Sequence, residues 1–217
     1  MMRKWTVAMG VLLLLFGCGG GKDSLRNGDL VFVGIPAEGA AERGSMDEAI
    51  SFATGEAGAL NFTHVAIAEV KADSVWMIDA STTQGVTRRP LERFLEASRL
   101  PDGSAPEYVV KRVQGVDADA AVLLAKGFCG RAYDLRFLPD NEDLYCSELV
   151  QKCYLYPSGK PVFESVPMNF KAADGSMPPY WEMHFGKLGM AVPQGLPGTN
   201  PQQMSQHPGL IKVPIEW

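Results

Sequence analysis

The chain is poor in the residues that metal and nucleic-acid chemistry draw on. Its 217 residues include three histidines and four cysteines. His64, His184 and His207 are dispersed without the close spacing of a ligand motif, which argues against a metal site, and no cofactor is implied. Basic charge is short as well: 20 Lys and Arg stand against 25 Asp and Glu, a formal net charge of -5. The cations are scattered, so nucleic acid is not an expected partner. No internal repeat or long low-complexity tract is visible, and 46% hydrophobic content fits one domain with a sizeable core.

Long apolar runs are nearly absent too. The one that stands out, VAMGVLLLLF, is too short for a comfortable membrane span. It follows the positive MMRKW and ends in LFGC at Cys18, the pattern of a signal peptide closing on a lipobox. The small Gly17 suits cleavage, after which the Cys18 thiol would carry a lipid. An ordinary signal peptide or short anchor with an incidental cysteine is the plainer alternative. The expected organisation is a lipoprotein signal peptide over residues 1–18, a flexible GGGKDS tether over 19–24, and a domain over 25–217 anchored at a bacterial cell-envelope membrane.

Removing Cys18 leaves Cys129, Cys146 and Cys153, an odd number in an oxidising compartment. At least one thiol is then free unless chains are cross-linked. Cys129 and Cys153 read either as core residues or as a pair. Cys146 and Cys153, seven apart on one helix, would lie roughly 10 Å apart along the axis, beyond disulfide reach. Cys146 is therefore either a small buried apolar residue or a residue that does chemistry.

Along the chain, NGDLVFVGI from Asn27 reads as a strand entered through a turn that Asp29 stabilises and ended by Pro36. SMDEAISFATG carries a capping-box arrangement at Ser45 and Glu48 and stops at Gly55. THVAIAEV and SVWMIDAS lack a polar face, as central strands covered on both sides would. TRRPLERFLEA is expected to start a helix near Pro90, and EYVVKRV is a further strand. DADAAVLLAKGFCG reads as a helix capped by Asp117 and stopped by Gly130. NEDLYCSELVQKCYLY reads as a second long helix, with Asn141 or Asp143 at its N-cap. KPVFESV is a strand candidate, and the Pro- and Gly-broken segment after it an ordered surface wrap. The order implies an α+β fold with helices against a mainly antiparallel sheet.

If the two central strands form a hairpin with Val70 opposite Val75, His64 and Asp79 become diagonal neighbours on one face, and a slip of one residue would separate them. An Asp behind a His sets which ring nitrogen carries the proton and supports the imidazolium. Cys146, near the start of its helix, would supply the nucleophile that this pair lacks. Unpaired N–H groups and the positive end of the helix dipole favour a thiolate there and could hold an oxyanion. A buried helix cysteine and a satisfied strand histidine is the competing reading. Glu148 is expected to pair or cap, His184 and His207 to lie on the surface, and Trp76, Tyr180 and Trp181 to form core or groove walls.

These motifs resemble the NlpC-type cell-wall peptidases, whose papain-like fold runs from a DCSGLV-like helix start to a GDLVFF-like and then an HVGIY-like strand. Here GDLVFV at Gly28, THVAIAEV at Thr63 and WMIDA at Trp76 precede YCSELV at Tyr145, so the chain looks like the circularly permuted branch, the YiiX-like enzymes. Lecithin-retinol-acyltransferase-like proteins share that order. The match runs from about Asn27 to Phe163, and GTNPQQMSQHP is similar to the tail of YiiX-like chains. The resemblance implies Cys146 as nucleophile, His64 as base and then acid, and Asp79 as the residue that orients the imidazole, where the permuted family often has Glu. It also places Tyr133, of AYDLRF, near the cleft, where it would touch substrate or oxyanion. The implied activity is cysteine-dependent cleavage of an amide, with a small peptide, peptidoglycan-fragment or lipid-like substrate. Acyl transfer on a lipid and a non-catalytic binding module are the alternatives.

Overall fold

The computed structural model describes residues 24–36, 41–55, 59–72, 74–215 and 217. The expected signal peptide, Cys18 and nearly all of the tether lie outside them. Among the described residues no helix is long and apolar enough to cross a membrane.

Among the described residues six strands form one antiparallel sheet: β1 (Asp29–Ile35), β2 (Asn61–Lys71), β3 (Ser74–Ser81), β4 (Gly85–Pro90), β5 (Glu107–Val113) and, as numbered in chain order, β8 (Leu210–Val213). Their spatial order is β4-β3-β2-β1-β5-β8. Among the described residues six helices accompany them: α1 (Met46–Thr54), α2 (Leu91–Ala97), α3 (Ala118–Gly127), α4 (Cys146–Cys153), α5 (Pro179–Lys187) and α6 (Pro201–Ser205). A small ladder joins β6 (Val166–Pro167) to β7 (Pro197–Gly198). The fold is α+β, with helices on a mainly antiparallel sheet.

The apolar central strands are covered on both faces, as their lack of a polar face requires. On one side Val31, Ala66, Ala68 and Met77 pack with Phe94 of α2. On the other, Phe32, Val65, Ile67 and Ile78 pack with Val122 and Ala125 of α3 and Leu149 and Val150 of α4. Val70 lies opposite Val75, and the β2–β3 register continues to Ile67 opposite Ile78. Asp29 accepts the Arg26 N–H and takes a two-pronged contact from Arg112 at 2.7 and 2.8 Å, which pins the turn into β1. Ser45 accepts the Glu48 N–H to cap α1, and Asp117 accepts the Ala120 N–H to cap α3.

Three expectations are corrected. KPVFESV is not a regular strand: Leu155 bridges Pro161 across a tight return from α4, and the only ladder residues nearby are those of β6. The helix expected near Pro90 does begin there, as α2, but the TRR before it belongs to a strand, 85–90, that pairs with β3 and was not foreseen. The tail is a structural layer rather than a wrap. It supplies α5, α6 and the edge strand β8, and Trp181 and Phe185 are buried with Phe137, Phe170, Met168 and Tyr145. Its prolines start helices, since Pro179 and Pro201 occupy first-turn positions, where the missing N–H costs no hydrogen bond.

Candidate active site

His64 sits on β2 just after a register irregularity. Val33 faces His64 while Gly34 faces Phe62, so Thr63 is an extra residue. A bulge of this kind bends a strand and re-aims the neighbouring side chain. His64 Nε2 meets Asp79 Oδ2 at 2.8 Å, the contact that the hairpin register predicts. Asp79 is fully buried, whereas the His64 side chain keeps 22% of its exposure. Nε2 is committed to Asp79, which leaves Nδ1 free to serve a reacting group, and Cys146 lies near enough for its charge to act on the His64 imidazole.

Cys146 is the first residue of α4, and Tyr145, not Asn141 or Asp143, is the N-cap. The helix starts later than expected because Asn141 serves the preceding loop: its amide donates to Asp134 and to the Leu138 carbonyl, and its oxygen accepts the Asp143 N–H. Glu142 and Asp143 stay exposed, away from the thiol. Tyr145 caps without a side-chain bond to its own helix, because its hydroxyl accepts the Thr199 N–H at 3.0 Å. Thr199 also donates to the Ser147 hydroxyl. The GTNP segment is thereby tied to the helix start, and the thiol, only 4% exposed, lies beneath it.

The electrostatics follow from this placement. Burial alone would lower the His64 pKa, but the facing Cys146 charge and the Asp79 carboxylate raise it to about 10. Asp79 itself is pushed up by burial and, more strongly, down by the hydrogen bond and charge of His64 and by Arg89, for a net lowering. Burial and the nearby Cys146 charge hold the Tyr133 hydroxyl well above its usual range, so it remains a donor at neutral pH. Glu148 pairs with Lys152 at 3.2 Å and faces the Tyr145 backbone N–H. The pairing is as expected, the second carboxylate oxygen is buried without a hydrogen-bond partner, and burial lifts the pKa to about 7.

Two contacts escaped the sequence reading. Arg89 of β4 donates from Nη2 to the same Asp79 oxygen at 2.6 Å. Phe94 supports both cations, with the His64 ring stacked at 6.3 Å and the Arg89 guanidinium 5.6 Å from its centre. The signal was available: Arg89 lies two residues beyond Thr87, the partner of Asp79, but only once 85–90 is known to be a strand. His184 is not a simple surface residue, since it stacks on Tyr180 and bonds the Leu135 carbonyl. His207 packs edge-on against Phe163. Cys129 and Cys153 are both free thiols.

Two cavities flank the pair and share Ile50, Thr63 and Tyr133. The one beside His64 has a volume of about 480 Å³. The one beside Cys146 has about 50 Å³. Helix α1 contributes to both, and the tail walls the smaller. A further cavity of about 500 Å³, between α6 and the Tyr156–Val166 segment, contains none of the three residues.

A cysteine heading a helix, facing a histidine on an antiparallel sheet that precedes it in sequence, is the papain-like arrangement in permuted order. The chain belongs to the family described as permuted papain-like amidase enzyme, YaeF/YiiX, C92 family, which it matches over residues 24–214. Among its relatives is the uncharacterized protein YiiX of Escherichia coli strain K12, 26% identical over 196 residues, covering 88% of this chain and 87% of that one. The crystal structure of the metalloprotein yiiX from Escherichia coli O157:H7 superposes with a TM-score of 0.65 at 24% identity, over 88% of this chain and 98% of the other. Among the described residues here, no group of three or more His, Cys, Asp and Glu side chains is placed to hold a metal ion. These residues do not fit such a site.

Proposed function

We propose that the protein is a thiol amidase of the cell envelope, tethered through lipid on Cys18 and acting on an amide in a small peptide such as a peptidoglycan fragment. The observation that carries the reading is His64 held between buried Asp79 and the helix-heading Cys146. In this reading the Cys146 thiolate attacks the amide carbon and a C–S bond forms. The carbonyl oxygen becomes an oxyanion, opposite the free N–H groups of the first turn of α4 and the Tyr133 hydroxyl. Collapse breaks the C–N bond while the His64 imidazolium gives its proton to the departing amine. His64, now neutral, takes a proton from water. The resulting hydroxide attacks the thioester, the C–S bond breaks, and acid and thiolate are released. Asp79 fixes the ring throughout.

The deciding experiment is the rate of Cys146 alkylation against pH, with peptide mass mapping, in the protein and its His64→Ala variant. A working pair keeps alkylation fast on the acid side of neutrality and loses that advantage without His64. A slow reaction indifferent to His64 refutes the assignment. On an amide substrate, Cys146→Ala and His64→Ala should each lower turnover by at least about a thousandfold, as loss of a nucleophile or its base does in triad enzymes. For the tether, a lipid precursor should label the wild-type chain and not Cys18→Ala; equal labelling, or none in either, removes the anchor.

A further inference from the structure

A nucleophile and its acid divide a substrate between them. The acyl carbon must reach Cys146 Sγ, while the departing nitrogen must lie within reach of His64, which protonates it. The acyl half therefore extends past Cys146 and the amine half past His64. In this protein those two directions differ in size and chemistry. On the Cys146 side the cavity of about 50 Å³ is walled by Phe137, Tyr145, Met168, Phe170 and Trp181. A water needs about 10–15 Å³ of such space, so this side holds a few non-hydrogen atoms and is too small for a fatty chain. On the His64 side the cavity of about 480 Å³ carries Asp47, Ser81, Thr82, Thr83, Arg89 and Arg99. That volume falls in the ordinary range for small-molecule sites, about 300–1,000 Å³, and its wall sets hydroxyls and charge of both signs among apolar residues such as Val33, Met46 and Leu100.

We infer that the site takes amides whose acyl group is short and apolar and whose amine half is polar and peptide-like, an inference that rests on the assignment of Cys146 and His64 above. Such a substrate places its few acyl carbons against the aromatic wall and its ammonium, carboxylate or amide groups against the hydroxyls and charges of the larger, mixed cavity. A long-chain lipid ester or amide has no place for its acyl chain.

The test uses the full chain with p-nitrophenyl acetate, butyrate and octanoate, following acylation of Cys146 by intact mass, with Cys146→Ala as control. The expected result is a fall of at least tenfold in the acylation rate from butyrate to octanoate. Met168→Ala, which deepens the small cavity, should recover the octanoate rate selectively, and Phe170→Leu provides a second widening should the first variant not fold. The acetylated protein is then offered glycylglycine or hexylamine at equal free-base concentration, and the dipeptide should intercept the thioester at least tenfold faster. Octanoate reacting as fast as acetate, or hexylamine intercepting as well as the dipeptide, overturns the inference and leaves the nucleophile in place. Failure of every ester to label Cys146 overturns the underlying assignment instead.

Discussion

Asp79 receives two cations on a single oxygen, His64 at 2.8 Å and Arg89 at 2.6 Å. The charges facing His64 are Cys146 from α4, Asp79 from β3 and Arg89 from β4, with the neutral Phe94 beneath from α2. Arg89 thus tempers the field that Asp79 exerts on the imidazolium while bracing the carboxylate. The Arg89→Gln variant should lower kcat about tenfold through looser positioning and move the basic limb of the pH–rate profile upward, because Asp79 then holds the His64 proton without competition. In an Asp79→Asn background the same change should leave the limb where it is. A lower rate with an unmoved limb in both backgrounds would make Arg89 a packing residue only. The His64 pKa, raised to about 10, also bears on stability. Its contribution is complete below about pH 6.5, the ordinary histidine value, and is lost as pH rises through about 10. Heat-denaturation scans between pH 7 and 10.5 should show a decline that is smaller in His64→Ala.

At the scale of elements, the site was legible where a local rule dictated geometry. The short KAD connection and the apolar runs on either side fix the β2–β3 register, and the register fixes His64 beside Asp79. Ser45 and Asp117 announced their helices through capping chemistry. What stayed hidden lacked a local signature. Strand β4, GVTRRP, has no apolar alternation and exists because β3 offers it an edge, so Arg89 was invisible with it. The start of α4 was misplaced because Asn141 and Asp143 look like caps but close a loop. Helices α5 and α6 were masked by prolines that read as breaks. Helix α4 yields its own prediction through Glu148, whose carboxyl is 4% exposed and titrates near 7. A carboxyl with a raised folded pKa costs stability as pH rises from about 4.5 to 7. The Glu148→Gln variant should therefore gain on wild type between pH 5 and 8, on the order of 2 kcal/mol or about 4–8 °C in Tm. A constant Tm difference across that range would refute the assignment.

For the whole molecule, the aromatic cluster around Trp181 joins α1, α5 and the 168–170 segment behind the wall of the Cys146 cavity. Trp181 is its largest buried side chain and meets Phe137, Phe170 and Phe185 edge-on or tilted, with ring centres 5.1–5.9 Å apart. Trp181→Ala should cost about 3–5 kcal/mol, read as an earlier urea midpoint, and should slow Cys146 acylation through loss of its wall. The site also depends on connections of very unequal reach. The hydrogen bond from His64 to Asp79 spans 15 positions, whereas Thr199 reaches Ser147 across 52 and the Phe62 N–H reaches Gln202 across 140. Closing a long loop costs more entropy than closing a short one, and nonlocal contacts form late. The β2–β3 hairpin that joins His64 to Asp79 thus closes across a short loop, whereas the surroundings of Cys146 wait for the far end of the chain. Circular permutation has thus put the two halves of one small site at opposite ends of the folding order, so a cut or truncation near the C-terminus would leave His64 and Asp79 paired while stripping the cover from Cys146.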